Sequence, residues 1–200
     1  RLRPLRPRHR AAHDAVPGTG ASAIVEVCWW GDWSTATDVR STVVYHDGSG
    51  YDTSWPELCR CGWACVQISA ECMPIRAIFG QLPGRQTVGR VERWAFLQAL
   101  VHMPYTECVV TDLASLAAET EAWDEVEQAG PRGQYADIRR RIFAVCEGRD
   151  RPQGSWCPAH LSVDDYLAHD GRCVCDYSGN MWADFFAKIG AMQHKLPPIL

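Results

Sequence analysis

The sequence predicts an α/β domain: a five-stranded mixed sheet flanked by helices. The first three strands form an antiparallel meander, and the fourth and fifth run parallel to the first. Three observations lead there. Three apolar, β-branched runs follow one another on short connections between residues 42 and 82, the pattern of a meander. Helical periodicity then alternates with short apolar runs, which lays strands parallel with helices over them. Finally, 200 residues of which 46% are hydrophobic and 22% charged suit one domain that buries roughly 70% of its unfolded surface.

The composition narrows the function classes. A net charge of −4 argues against a protein held on nucleic acid or membrane by bulk charge alone. No run of 18 apolar residues is present, so no membrane span is expected. Ten cysteines lack the regular framework of a small secreted scaffold, and Cys65, Cys108 and Cys146 fall inside apolar patterns, where a free thiol acts as a small hydrophobe. A reducing, intracellular setting (nucleus or cytoplasm, not secreted) is the expectation. Zinc is the rival use of these cysteines, through Cys59 and Cys61, Cys173 and Cys175, and Cys157 with His160. None of these has the paired two-residue spacing of a strong zinc signature.

Residues 1–40 read as an N-terminal appendage. Arg1, Arg3, Arg6, Arg8 and Arg10 interleave with Pro4 and Pro7, either a flexible linker or a basic arm for nucleic acid. Residues 23–27 can add a short strand, and Trp29, Trp30 and Trp33 need a surface to cover. Opening on Arg1 rather than Met is expected of a fragment or of a piece cut from a longer polyprotein. The folded domain is placed at 41–195 and a tail at 196–200.

From residue 41 each element has its own reason. Thr42-Val43-Val44-Tyr45-His46-Asp47-Gly48-Ser49-Gly50 is a buried strand running into one acid and a flexible turn. By itself an Asp-Gly after a strand is most often a hairpin turn. Residues 62–69 and 74–82 are the second and third strands, the latter closed by Pro83-Gly84. Thr87 is an N-cap for a helix to about Met103, with Val88, Val91, Ala95, Leu97 and Val101 as its apolar face. Residues 107–112 form a short strand that ends, like the first, on an acid. Residues 114–128 and 135–146 are helical, with Arg139, Arg140 and Arg141 as a solvated face or a phosphate contact. Residues 155–160 form a fifth strand weakened by Pro158. Asn180 caps a last helix over 181–194.

Four acids stand out: Asp47 and Asp112 at strand ends, Glu92 and Asp184 in the first turns of helices. Near helix N-termini Glu92 and Asp184 are favourable against the dipole in any case. Brought to one sheet edge, four carboxylates would need cations, because like charges raise one another's pKa. Hard oxygen donors suit Mg²⁺ or Mn²⁺, and a pair of such ions suits phosphodiester hydrolysis without a covalent nucleophile.

With these elements and acids in order, the chain resembles the ribonuclease H type 1 family over about residues 41–192. The strand into Asp-Gly-Ser is Tyr45-His46-Asp47-Gly48-Ser49. The Gly-Trp opening of the second strand is Gly62-Trp63. The approach to the second acid is Gln86-Thr87 ahead of Glu92, and the third strand into Thr-Asp is Val109-Val110-Thr111-Asp112. The last motif runs Gly179-Asn180-Met181-Trp182-Ala183-Asp184-Phe185-Phe186-Ala187-Lys188-Ile189-Gly190-Ala191, after a Trp156-to-His160 spacing. The resemblance implies a metal-dependent endonuclease that cuts the RNA strand of RNA–DNA hybrids. Two Mg²⁺ (or Mn²⁺) ions would sit on Asp47, Glu92, Asp112 and Asp184. His160 would assist proton transfer or product release, and Gly48 and Ser49 would lie beside the ribose 2′-hydroxyls.

The Trp- and Cys-rich texture suggests a retroelement-derived or drifted copy, a retrotransposon setting in which flanking polyprotein domains such as a reverse transcriptase are expected; no membrane partner and a monomer are expected as well. Arg93 and Leu113 depart from the family pattern, and Lys188 and Lys195 are the chain's two lysines. A catalytically decayed module, retained for nucleic-acid binding or architecture, is the alternative.

Overall fold

The computed structural model describes residues 8–11, 26–33, 42–55, 58–128, 133–169 and 171–193. Their elements are β1 (Arg8–Ala11), β2 (Glu26–Gly31), β3 (Val43–Tyr51), β4 (Arg60–Ile68), β5 (Pro74–Gln81), α1 (Val88–His102), β6 (Cys108–Thr111), α2 (Ala114–Glu121), α3 (Trp123–Gln128), α4 (Ala136–Cys146), β7 (Gln153–Trp156), α5 (Val163–Leu167) and α6 (Val174–Met192). They build one mixed sheet of order β1-β2-β5-β4-β3-β6-β7. The five expected strands are there: β3, β4 and β5 are the antiparallel meander, β6 runs parallel to β3, and β7 runs parallel to β6.

Two more strands widen the sheet beyond five. β2 pairs antiparallel with β5 from Val27↔Gly80 to Gly31↔Arg76, and β1 pairs antiparallel with β2. The tryptophans explain why this stretch docks. Trp29 meets Trp33 and His102 edge-on at 4.5 and 5.1 Å between ring centres, while Trp30 reaches Phe186 at 5.5 Å on the other face. The basic residues Arg1, Arg3 and Arg6 and the 196–200 tail lie outside the described residues.

Alternation along the strands feeds two cores. Val44, Trp63, Cys65 and Ile78 face α1 and α4, joining Val91, Leu97 and Ile138. Tyr45, Ala64, Val66 and Phe79 face α6, joining Ala183, Phe186 and Ala187. Small residues let α6 lie close on the sheet. A Cβ at Gly190 would come 2.5 Å from the Gly80 carbonyl oxygen, so no larger residue fits there without separating the layers.

Several boundaries differ from the sequence expectation. β3 does not stop at Asp47: it continues through Gly48–Gly50 to Tyr51, paired with β4 as far as Tyr51↔Arg60. The helix expected over 114–128 breaks at Ala122 into α2 and α3. β7 spans Gln153–Trp156 and leaves His160 in the following loop. The last helix starts at Val174, seven residues ahead of expectation. Asn180 is therefore inside α6, and Asp184 lies beyond its first turns. Gly179 is no helix break, because a side chain there would run into the Tyr45 ring.

The three arginines of α4 are not all solvated. Arg139 pairs with Glu119 at 2.9 Å, Arg141 lies over Trp94 at 4.7 Å, and Arg140 is exposed. Arg93 is buried in the same network, bonded to Glu119 and 4.7 Å from the centre of the Tyr135 ring. That explains its departure from an apolar residue.

Candidate active site

Register brings the first two acids together. β3 and β6 pair in parallel up to Tyr45↔Val110, so two residues further on Asp47 and Asp112 stand side by side. Just past the end of β6, Trp156 holds the backbone by donating its ring N–H to the Asp112 carbonyl at 3.0 Å. The third acid comes from α1, and Gly48 lets it in. A Cβ at position 48 would lie 2.7 Å from the Glu92 backbone nitrogen, so the helix can cross β3 this closely only over a glycine. The Gly48 N–H in turn donates to Asp47 Oδ1 at 2.7 Å.

One carboxylate oxygen from each of Asp47, Glu92 and Asp112 falls within 4.8 Å of the others. Asp184 lines the same cavity of about 570 Å³, together with Gly48, Ser49, His160 and Lys188. Its Oδ2 accepts a hydrogen bond from Lys188 Nζ at 2.6 Å. Sequence reasoning missed this pair, although the i, i+4 spacing on a helix announces it. The structure thus brings all seven predicted site residues to one cavity, with three acids in a tight group and the fourth beside them tied to a lysine. His160 is exposed and takes a left-handed backbone, φ 61°.

The electrostatics are those of crowded acids. Burial, then Asp112 and Asp184, push the Asp47 carboxyl up to about 7, against the pull of the Glu92 and Gly48 hydrogen bonds. Glu92 is driven well above the usual carboxylate range by burial first and by Asp47 and Asp112 next. Asp112 is raised by burial; nearby His160 opposes the rise and Asp184 adds to it. Among the described residues no arginine or lysine pairs with Asp47, Glu92 or Asp112, and the buried Glu92 Oε2 has no hydrogen-bond partner. Asp47 and Glu92 are 6% and 3% exposed. Buried, unneutralised hard oxygens of this kind fit a divalent cation of the Mg²⁺ class. No cysteine–histidine group at metal-ligand spacing is found among the described residues.

His46 was left unassigned by the sequence. It is fully buried on the opposite face of β3, its Nδ1 3.9 Å from Glu92 Oε2, and burial drives its imidazole down to about 3. The ring is therefore neutral.

No family model matches the chain, and no curated protein does. Solved structures do. A foamy viral protease-reverse transcriptase in complex with dsDNA is 18% identical over 76% of this chain and 94% of its own, with a TM-score of 0.56. LC9-RNase H1, a type 1 RNase H with the type 2 active-site motif, is 14% identical over 76% and 72%, with a TM-score of 0.55. RNase H1 from the halophilic archaeon Halobacterium salinarum is 18% identical over 76% and 98%, with a TM-score of 0.50. Likeness at this level of identity speaks to architecture, and the architecture is that of a ribonuclease-H-like domain.

Proposed function

We propose that the protein is a metal-dependent endonuclease that hydrolyses the RNA strand of RNA–DNA hybrids. The observation that carries this is the convergence of Asp47, Glu92 and Asp112 from two strands and a helix, with Asp184 across the same cavity. The resemblance implies these same four acids, and solved neighbours of the fold include ribonuclease H1 structures. Two Mg²⁺ ions, or Mn²⁺, held by the four carboxylates would supply a reactive water and charge stabilisation at the departing oxygen.

The chain's own residues do the rest. Gly48 and Ser49 form the wall where backbone and a small side chain let a ribose approach, so a 2′-hydroxyl is read there. His160, exposed on its loop beside Asp112, exchanges a proton with solvent and aids product departure. No side chain attacks. Water is the nucleophile, and the products carry 3′-hydroxyl and 5′-phosphate ends.

The catalytic unit is residues 41–195, preceded by the 1–40 appendage and followed by the 196–200 tail. We place it in a retroelement polyprotein beside a reverse transcriptase, supported by the likeness to the foamy viral protease-reverse transcriptase, and as a monomer on its hybrid. Ten cysteines, six of them buried, favour a reducing intracellular setting. Among the described residues no helix is long and apolar enough to cross a membrane.

The experiment is cleavage of an end-labelled hybrid with Mg²⁺ or Mn²⁺. The wild type should cut only the RNA strand, and Asp47→Asn should be slower by about 10² or more. Equal rates would remove Asp47 from the chemistry. Hybrid binding without cleavage by the folded wild type would instead support a decayed module, the reading that the Lys188 hold on Asp184 favours.

A further inference from the structure

We propose that His46 is a positioning residue for Glu92: its ring N–H holds one oxygen of the Glu92 carboxylate and turns the other toward a cation shared with Asp47 and Asp112. The inference rests on reading the acidic cluster as a metal centre.

β3 alternates its side chains between the two faces of the sheet. Tyr45 packs with the α6 core and Val44 with the α1 core, so His46 lies under α1 while Asp47 faces the other way. Glu92 rides on α1 directly above the ring. His46 is 0% exposed, and among the described residues neither ring nitrogen has a hydrogen-bond partner. Glu92 Oε2 is likewise buried and unpartnered. These two orphans face one another, Nδ1 to Oε2, at 3.9 Å. The ring is also braced edge-on by Phe96, one turn further along α1, at 5.9 Å between ring centres.

Buried polar atoms are costly when unpaired. A core that needed only volume here would use an apolar ring. The terminal torsion of a glutamate is soft, so a modest turn brings Oε2 onto Nδ1–H and leaves Oε1 for the group with Asp47 and Asp112. A carboxylate oxygen accepts such a bond strongly, and the bond fixes the rotation of the carboxylate about its terminal torsion. Partners behind a ligating carboxylate orient it and typically change metal affinity by roughly 10–100-fold. The ring proton then sits on Nδ1, the nitrogen that faces Glu92 Oε2.

The full chain is titrated with Mn²⁺ alone by calorimetry, comparing wild type, His46→Phe, His46→Asn and Asp47→Asn. His46→Phe keeps an aromatic ring against Phe96 and loses the donor. It should melt no lower than wild type without metal yet bind Mn²⁺ about 10–100-fold more weakly. His46→Asn places an amide N–H₂ where Nδ1 was. It should recover most of the affinity even though the smaller side chain leaves a void and lowers the melting temperature. Affinity that followed stability across the variants would make His46 core filling and overturn the proposal, as would a His46→Phe protein that binds Mn²⁺ like wild type.

Nitrogen-15 NMR of the wild-type imidazoles decides the matter even if His46→Phe does not fold. A protonated Nδ1 whose proton moves downfield on adding Mg²⁺ supports the proposal, and a protonated Nε2 overturns it. Wild-type Mn²⁺ binding that is absent, or unchanged in Asp47→Asn, would overturn the metal centre itself and this inference with it. That outcome is distinct from a site that binds metal without help from His46.

Discussion

Replacing Asp47 by Asn should make the metal-free protein more stable at neutral and alkaline pH, even as it slows cleavage by about 10² or more. The folded protein holds the Asp47 proton up to about pH 7, whereas an unfolded chain releases it near 3.8. Because the folded value is the higher, stability is greatest at low pH and is lost as pH rises between those two values. Over that whole window the loss approaches about 4 kcal/mol, taking 1.36 kcal/mol per pH unit. From pH 5 to pH 8 the same linkage gives about 2–3 kcal/mol. Asn keeps the Oδ1 acceptor that receives the Gly48 N–H at 2.7 Å and removes the charge.

Glu92 and Asp112 share the crowding, so part of the repulsion passes to them. About half of the full figure, ~2 kcal/mol, is then the expected gain at pH 8, or roughly 4–8 °C in melting temperature for a domain of this size. The assay is thermal unfolding in chelator at pH 5 and pH 8, repeated with Mg²⁺. Wild type should lose stability between the two pH values and regain it with Mg²⁺ through preferential binding to the native state. The variant should show a smaller pH slope and a smaller Mg²⁺ effect. A wild type that is equally stable at both pH values, or a variant that melts lower at pH 8, would refute the electrostatic account.

Three further outcomes follow from the geometry. Gly48→Ala should destabilise the fold by about 1–3 kcal/mol and abolish cleavage, because the added carbon lies 2.7 Å from the Glu92 backbone nitrogen; chemical denaturation and the hybrid assay read both effects. Glu119→Ala should cost about 3 kcal/mol in urea unfolding with metal affinity unchanged, since it removes the carboxylate paired with the buried Arg93. His160→Ala should lower kcat by about 10²-fold while leaving Mn²⁺ affinity by calorimetry near wild type, as a proton carrier outside the ligand set would.

How far the site could be read from sequence depended on which elements set it. Asp47 and Asp112 stood out in the sequence because each follows an apolar run read as a buried strand, and the parallel register that aligns Tyr45 with Val110 sets the two acids side by side. The extension of β3 through Gly48–Gly50 was not legible. Gly-Ser-Gly has the local chemistry of a turn, and only the approach of α1 shows that small residues are needed there to admit a helix rather than to reverse the chain. α6 was misjudged at its start for a related reason. Cys173 to Gly179 has weak helical propensity, but the Cys173 sulfur accepts from the Asp176 N–H at 3.4 Å, and Gly179 sits on the Tyr45 ring. Tertiary packing overrides propensity at both places.

The same contrast explains why His46 escaped notice. Its neighbour declares itself through a motif, but a residue whose partner arrives from another element on the hidden face of the strand leaves no local pattern. Asp47 and His46 are consecutive, yet the two-residue period of the strand sends them to opposite faces: one to the cavity, the other beneath the helix that carries Glu92. A single strand thereby positions one acid directly and lies under a second. Gly48 lets α1 down onto that strand, bringing Glu92 within reach of both residues. Residues 46–48 thus act as one device, in which Gly48 sets the height of Glu92, His46 its orientation, and Asp47 the partner it must face.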